Sequence, residues 1–173
     1  MSENQSIIQQ LYTRMVKDLL EPLDSKNCFI EKSADIKHVF QQLTKKKHLW
    51  VVDSQATPQL CGVITESDTI PLFAPVSDSL QSFDKPTLHS FQFGLSMTAQ
   101  EIMSAQPITV EPEETIADVI TKMKQQKIKQ VAVLDKDKHI IGEITLGHLI
   151  QIYLEKLKSD PQMNQVTPIE KNI

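Results

Sequence analysis

The stretches GVITESD (Gly62–Asp68) and GEITLGH (Gly142–His148) decide the fold. Each has a glycine, an apolar β-rich step, a threonine three residues after the glycine, and then a run with helical patterning. The agreement extends upstream. LWVVD (Leu49–Asp53) resembles VAVLD (Val131–Asp135), and IKHVFQQL (Ile36–Leu43) resembles IADVITKM (Ile116–Met123) in apolar spacing. The offsets are 80, 82 and 80 residues along the chain, so each copy has one loop two residues shorter than the other's. Two of the four glycines, Gly62 and Gly142, occupy matching places, which chance would seldom arrange.

Each copy reads as short strand, helix, strand, strand, helix. In the second, PITV (Pro107–Val110) is the short strand and the helix covers about 115–126, with Glu113 and Glu114 complementing its dipole. VAVLD and HIIGEIT follow as strands, and His148–Lys158 is the closing amphipathic helix. The joining KDK has no Asn-Gly signal, which leaves the hairpin type open. The first copy has CFIE, a helix over Ser33–Lys46, LWVVD, LCGVIT and a helix from Ser67. Pro71 and Pro75 are expected to stop that last helix early. Ahead of both copies, Ile7, Leu11, Met15 and Leu19 form one amphipathic stripe that Pro22 ends.

The expected fold is therefore α/β: two β-α-β-β-α repeats related by a pseudo-twofold, plus an N-terminal amphipathic helix. The division is 1–25 N-terminal helix, 26–75 first repeat, 76–96 insertion, 97–158 second repeat and 159–173 flexible tail. In the insertion, Leu88–Leu95 reads as a surface loop pinned by Phe91, Phe93 and Leu95.

Composition narrows the function. At 173 residues, with 40% hydrophobic and 23% charged, the chain is globular. A net charge of −4 argues against nucleic acid or an anionic membrane as the main partner. No stretch approaches the roughly 20 apolar residues of a membrane span, and the polar start has no apolar signal core, so a cytoplasmic location is expected. Cys28 and Cys61 form no zinc set and read as buried reduced thiols. His38, His48, His89 and His139 lack metal-ligand spacing. GEITLGHL has the glycine spacing of a P-loop, but His148 and Leu149 stand where Lys and Ser/Thr are required, and that reading fails. No nucleophile with a partner base is visible, so the chain is expected not to be an enzyme.

The repeat resembles a tandem pair of cystathionine-β-synthase (CBS) domains, a Bateman module, over about Cys28–Thr69 and Met97–Lys158. The family pattern at the second strand-to-helix junction is Gly, two variable residues, Thr or Ser, two more, then Asp. GVITESD fits throughout; GEITLGH fits until His148 replaces the acid. The resemblance implies a non-catalytic regulatory module for AMP, ADP, ATP or S-adenosylmethionine, self-associating as a homodimer and acting in trans on a regulated protein. The chemistry agrees with the residues. Thr65 ends a strand, Asp68 lies on the next helix's first turn, and a carboxylate can accept both vicinal ribose hydroxyls. Gly62 would permit close approach of a base or backbone. The competing reading is that Thr65 and Asp68 merely cap a helix.

Carried over by resemblance, Phe29, Ile30, Thr109 and Val110 would line adenine pockets, with Val63 and Ile64 on the strand beside them. Lys47–His48 and Lys129–Gln130 would face phosphate. Thr145 and His148 would mark a degenerate second site, because a neutral imidazole accepts only one hydrogen bond. The rival function is a ligand-free homodimeric scaffold.

Overall fold

The computed structural model describes residues 3–22, 29–73 and 97–159. Cys28, the insertion at 76–96 and the tail beyond 159 lie outside the described residues, and so does Pro75.

The first repeat contains β2 (Phe29–Glu31), α2 (Ile36–Leu43), β3 (His48–Val52), β4 (Leu60–Thr65) and α3 (Glu66–Phe73). The second contains β6 (Thr109–Val110), α5 (Ile116–Gln126), β7 (Gln130–Leu134), β8 (Ile140–Thr145) and α6 (Leu146–Ser159). The element order expected for both copies is present. Three further pieces frame them: α1 (Glu3–Tyr12) with β1 (Glu21–Pro22), and α4 (Ala99–Ile102) with β5 (Ser104–Ala105).

These strands make two four-stranded sheets, ordered β2-β3-β4-β5 and β1-β8-β7-β6. In the first, β2 runs parallel to β3, while β3–β4 and β4–β5 are antiparallel. The strand lying just before each repeat thus joins the other repeat's sheet, β1 beside β8 and β5 beside β4. No local pattern in the sequence announces that exchange.

Two compact units are found within the chain. One draws on Met1–Glu21, Val110–Val133 and Glu143–Ile173; the other on Pro22–Thr109 and Leu134–Gly142. In the second of these, α2 turns Ile36, Val39 and Leu43 into a core with Ile30, Leu49, Val51, Ile64 and Leu72. Spacing of three and four residues puts the α2 side chains on one face. Asp35 caps α2, its Oδ1 accepting from the Lys37 N–H at 2.8 Å. Trp50 is buried and meets the His48 ring edge-on at 5.2 Å, a packing residue of β3.

The N-terminal stripe departs from the single helix expected. The helix stops at Tyr12, and a 3-10 turn covers Val16–Asp18. The backbone leaves the helical path because Val16 N–H donates to the Glu114 carbonyl and Lys17 N–H to that of Pro112. Ile7, Leu11 and the neighbouring Val16 are buried and α1 lies against α5 and α6, whereas Met15 is exposed and Leu19 half-buried.

Two other expectations change. Pro71 sits inside α3, which continues to Phe73. Proline there removes one N–H donor from the helix. In the second repeat the helix dipole is met by Asp118 of the first turn rather than by Glu113 and Glu114, since Thr115 is the N-cap. Glu114 instead pairs with Lys122 Nζ at 2.7 Å.

The β7–β8 hairpin lacks Asn-Gly because a carboxylate closes it. Asp135 Oδ1 accepts from the N–H groups of Asp137 and His139, with Lys138 at φ 65°. Asp53 does the same for the β3–β4 connection through Ser54 and Gln59.

Candidate functional site

The first motif lies where β4 passes into α3. Asp68 Oδ2 accepts from both the N–H and the hydroxyl of Thr65, each at 2.7 Å. This is the capping arrangement that the sequence left as the competing reading. It recurs at Thr98–Glu101 and at Thr115–Asp118, where the acid likewise takes the threonine N–H and hydroxyl.

Asp68 nevertheless differs from the other two acids. Its Oδ1 accepts from Ser104 Oγ on the crossing strand β5 at 2.8 Å. Asp68 opens onto a groove of about 280 Å³, lined by Ser67, Asp68, Pro71, Leu72 and the stretch Glu101–Ser104, so Glu101 shares this groove and the bond from Ser104 is what sets Asp68 apart. That volume falls just under the usual range of roughly 300–1,000 Å³ for small-molecule pockets. A carboxylate offers about four acceptor positions, and three are filled here.

Gly62 has a role other than the one expected. A Cβ there would lie 2.6 Å from Met103 Sδ and 3.0 Å from the Ser104 carbonyl oxygen. The close approach is real, but the approaching group is the chain's own segment leading into β5, paired with β4 as Gly62–Ala105. Met103 in turn packs onto the core.

The remaining predicted residues have the following places. Ile30, Ile64 and Val110 are buried, the first two in the core of their unit. Phe29 lies on β2, two strands away from β4 in the sheet, while Val63 on β4 is half-buried. Neither Phe29, Ile30, Val63 nor Ile64 lines the groove. Thr109 is half-buried on β6. Lys47 and Lys129 are exposed. The Lys129 carbonyl accepts the Leu146 N–H at 2.8 Å, which sets that lysine beside the start of α6.

The second motif has a partner that the sequence reading missed. Thr145 Oγ1 donates to Glu21 Oε2 at 3.2 Å and also accepts the His148 N–H at 3.1 Å. His148 Nδ1 lies 3.5 Å from the same Glu21 oxygen. Glu21 belongs to β1, the strand that joins β8. Only long-range register brings it there, which no motif of adjacent residues reveals.

One more polar cluster went unread. Ligand atoms of Asp135, Asp137 and His139 lie within 4.8 Å of one another. Asp135 is held below the usual carboxylate range chiefly by its hydrogen bond from the His139 N–H. The parallel bonds of Asp53 explain this carboxylate as a turn-closing group.

The family model for the CBS domain matches residues 16–75 and 99–155. The chain belongs to that family and carries a tandem pair of its domains. Curated relatives are larger. A probable manganese-dependent inorganic pyrophosphatase of Thermotoga maritima is 30% identical over 77 residues, 44% of this chain and 14% of the relative. Homoserine O-acetyltransferase of Methanosphaera stadtmanae is 25% identical over 126 residues, 72% of this chain and 21% of the relative. The chain thus spans about a fifth or less of their length.

Solved structures share the fold. CBSX2 in complex with AMP, a protein of Arabidopsis thaliana, superposes with a TM-score of 0.63 at 23% identity, covering 82% of this chain and 97% of its own. The CBS domain of a bacterial CNNM/CorC family Mg²⁺ transporter in complex with ATP gives 0.63 at 15% identity, covering 88% and 95%. A CBS domain pair in complex with 5′-methylthioadenosine and S-adenosyl-L-methionine gives 0.59 at 23% identity, covering 83% and 98%. Among the described residues no helix is long and apolar enough to cross a membrane.

Proposed function

We propose that this chain is a non-catalytic regulatory module that binds an adenosine-type ligand through Asp68 and transmits its occupancy to a partner protein. The observation that carries the reading is the Asp68 carboxylate. It opens onto a groove, and its Oδ1 is held by a single hydroxyl on a neighbouring strand. Ser104 Oγ stands where one ribose hydroxyl would donate. Moving it aside would leave two acceptor positions on Asp68, the number that vicinal 2′- and 3′-hydroxyls require. Support also comes from the fold neighbours crystallised with AMP, ATP, and methylthioadenosine with S-adenosylmethionine. In this reading residues 26–75 and 97–158 are the two repeat bodies.

The test is a thermal-shift screen with AMP, ADP, ATP and S-adenosylmethionine, followed by calorimetry of the best ligand on Asp68→Ala. Hydrogen bonds to a charged acceptor are worth about 1.5–3 kcal/mol, so affinity at this site should fall roughly ten- to a hundredfold. Unchanged affinity would remove Asp68 from the site.

A second reading is a ligand-free homodimeric scaffold. The three matching Thr–acid caps favour it, since capping alone accounts for two of the bonds on Asp68. Ile70 and Phe73 on α3, and Ile150 and Leu154 on α6, are 49–65% exposed and supply apolar surface for self-association. Sedimentation at micromolar concentration tests that association in either reading, and a monomer alone would contradict it.

A further inference from the structure

We infer that Glu21 supplies the carboxylate missing from the second motif, so that the chain carries two competent hydroxyl-binding sites of different construction. This inference rests on the adenosine-ligand reading and extends it to a residue outside the motif. The two junctions use the same three positions: the threonine ending the strand, the residue three places on, and the residue on the crossing strand. In the first, the acid is on the helix and the hydroxyl is on the crossing strand, as Asp68 and Ser104. In the second, the acid is on the crossing strand and the helix carries the imidazole, as Glu21 and His148. The threonine binds the carboxylate in both, as Thr65 to Asp68 and Thr145 to Glu21. The acid has changed strands without leaving the junction.

The second junction also has more acceptor capacity to spare. Glu21 Oε2 takes the Thr145 hydroxyl and faces His148 Nδ1, while no hydrogen bond is recorded on Oε1 among the described residues. Asp68, by contrast, has hydrogen bonds on both of its oxygens. His148 Nδ1 is itself buried; it makes no hydrogen bond among the described residues and faces Glu21 Oε2 at 3.5 Å. Glu21 Oε1, a carboxylate oxygen with two lone pairs, offers the acceptor positions for a pair of vicinal hydroxyls. The backbone of Lys129, bonded to the first residue of α6, brings an exposed cation beside them for a phosphate.

The experiment is calorimetric titration of the full chain with AMP and with ATP, comparing wild type, Glu21→Gln and Asp68→Asn. The expected result is two sites per chain in the wild type. Glu21→Gln should weaken one of them ten- to a hundredfold, and Asp68→Asn should weaken the other. Unfolding melts accompany each variant. If Glu21→Gln melts early, Glu21→Asp, which keeps the charge but withdraws it by one methylene, is read in the same way. A single site that Asp68→Asn removes and Glu21→Gln spares would overturn this inference while leaving the Asp68 reading intact. Two sites both indifferent to Glu21 would overturn it as well. Absence of any adenosine-ligand binding would remove the reading on which it rests, and the inference with it.

Discussion

The junctions at Thr65 and Thr145 share a backbone plan and differ in which element supplies the acid. At the first, Gly62, Met103 and Ser104 are in close contact, and Asp68 accepts three hydrogen bonds. At the second, a Cβ added to Gly147 would meet nothing nearer than Thr145 Oγ1 at 3.9 Å, and Glu21 and His148 share the polar work. A matching sequence motif therefore does not guarantee a matching site. The difference lies in what the crossing strand brings, and that strand is remote in sequence from the motif it completes.

The largest effect expected from this contrast is on stability. Gly62→Ala forces a methyl group against Met103 Sδ and the Ser104 carbonyl, and the latter belongs to a paired strand that cannot simply rotate away. Overpacking of this kind costs about 1–3 kcal/mol. Denaturant titration should show that loss, and a neutral result would mean that β5 yields easily. Next comes Ser104→Ala. Removing the hydroxyl frees Asp68 Oδ1, so affinity for an adenosine ligand at this site should rise by about 1 kcal/mol, roughly fivefold. Weaker binding would instead make Ser104 a ligand contact.

At the second junction the opposite sign is expected. Gly147 lies in the first turn of α6 with room for a methyl group, so Gly147→Ala should raise stability by up to about 1 kcal/mol. Destabilisation, read by the same titration, would show that a methyl group is not accommodated there. The smallest effect separates a plain cap from the proposed site. Asp118 is held below the ordinary carboxylate range, first by the Thr115 hydroxyl and then by the Thr115 N–H. A group with a depressed folded-state pKa adds stability above its unfolded value and loses it as pH falls through the folded one. Stability should therefore decline below about pH 4, and Asp118→Asn should flatten that part of the profile without affecting ligand affinity. A change in affinity would show that these acids are not separable into caps and ligand contacts.

Much of the architecture was legible because it is written locally. The repeat announced itself through Gly62 and Gly142 and through paired apolar runs such as LWVVD and VAVLD, which become the buried strands β3 and β7. The α2 face of Ile36, Val39 and Leu43 follows from helical period alone. The N-terminal stripe misled because Met15 to Lys17 turn to bond residues 112–115, about a hundred positions away. The site was legible only in half. Thr65 and Asp68 do meet, but Ser104, Met103 and Glu21 arrive by strand exchange. The expected adenine-lining residues Phe29 and Ile30 lie on the far side of β3 from β4, with Ile30 given over to the core.

The central claim, that Asp68 grips ribose hydroxyls, is tested most directly by varying ligand and protein together. Calorimetry would compare AMP with 2′,3′-dideoxyadenosine monophosphate on wild type and on Asp68→Ala, a cycle that isolates the coupling between the carboxylate and the hydroxyls. The account predicts that the wild type prefers AMP roughly ten- to a hundredfold at this site and that Asp68→Ala loses this preference. An equal preference in both proteins would contradict it, because the hydroxyls would then be read by something other than Asp68.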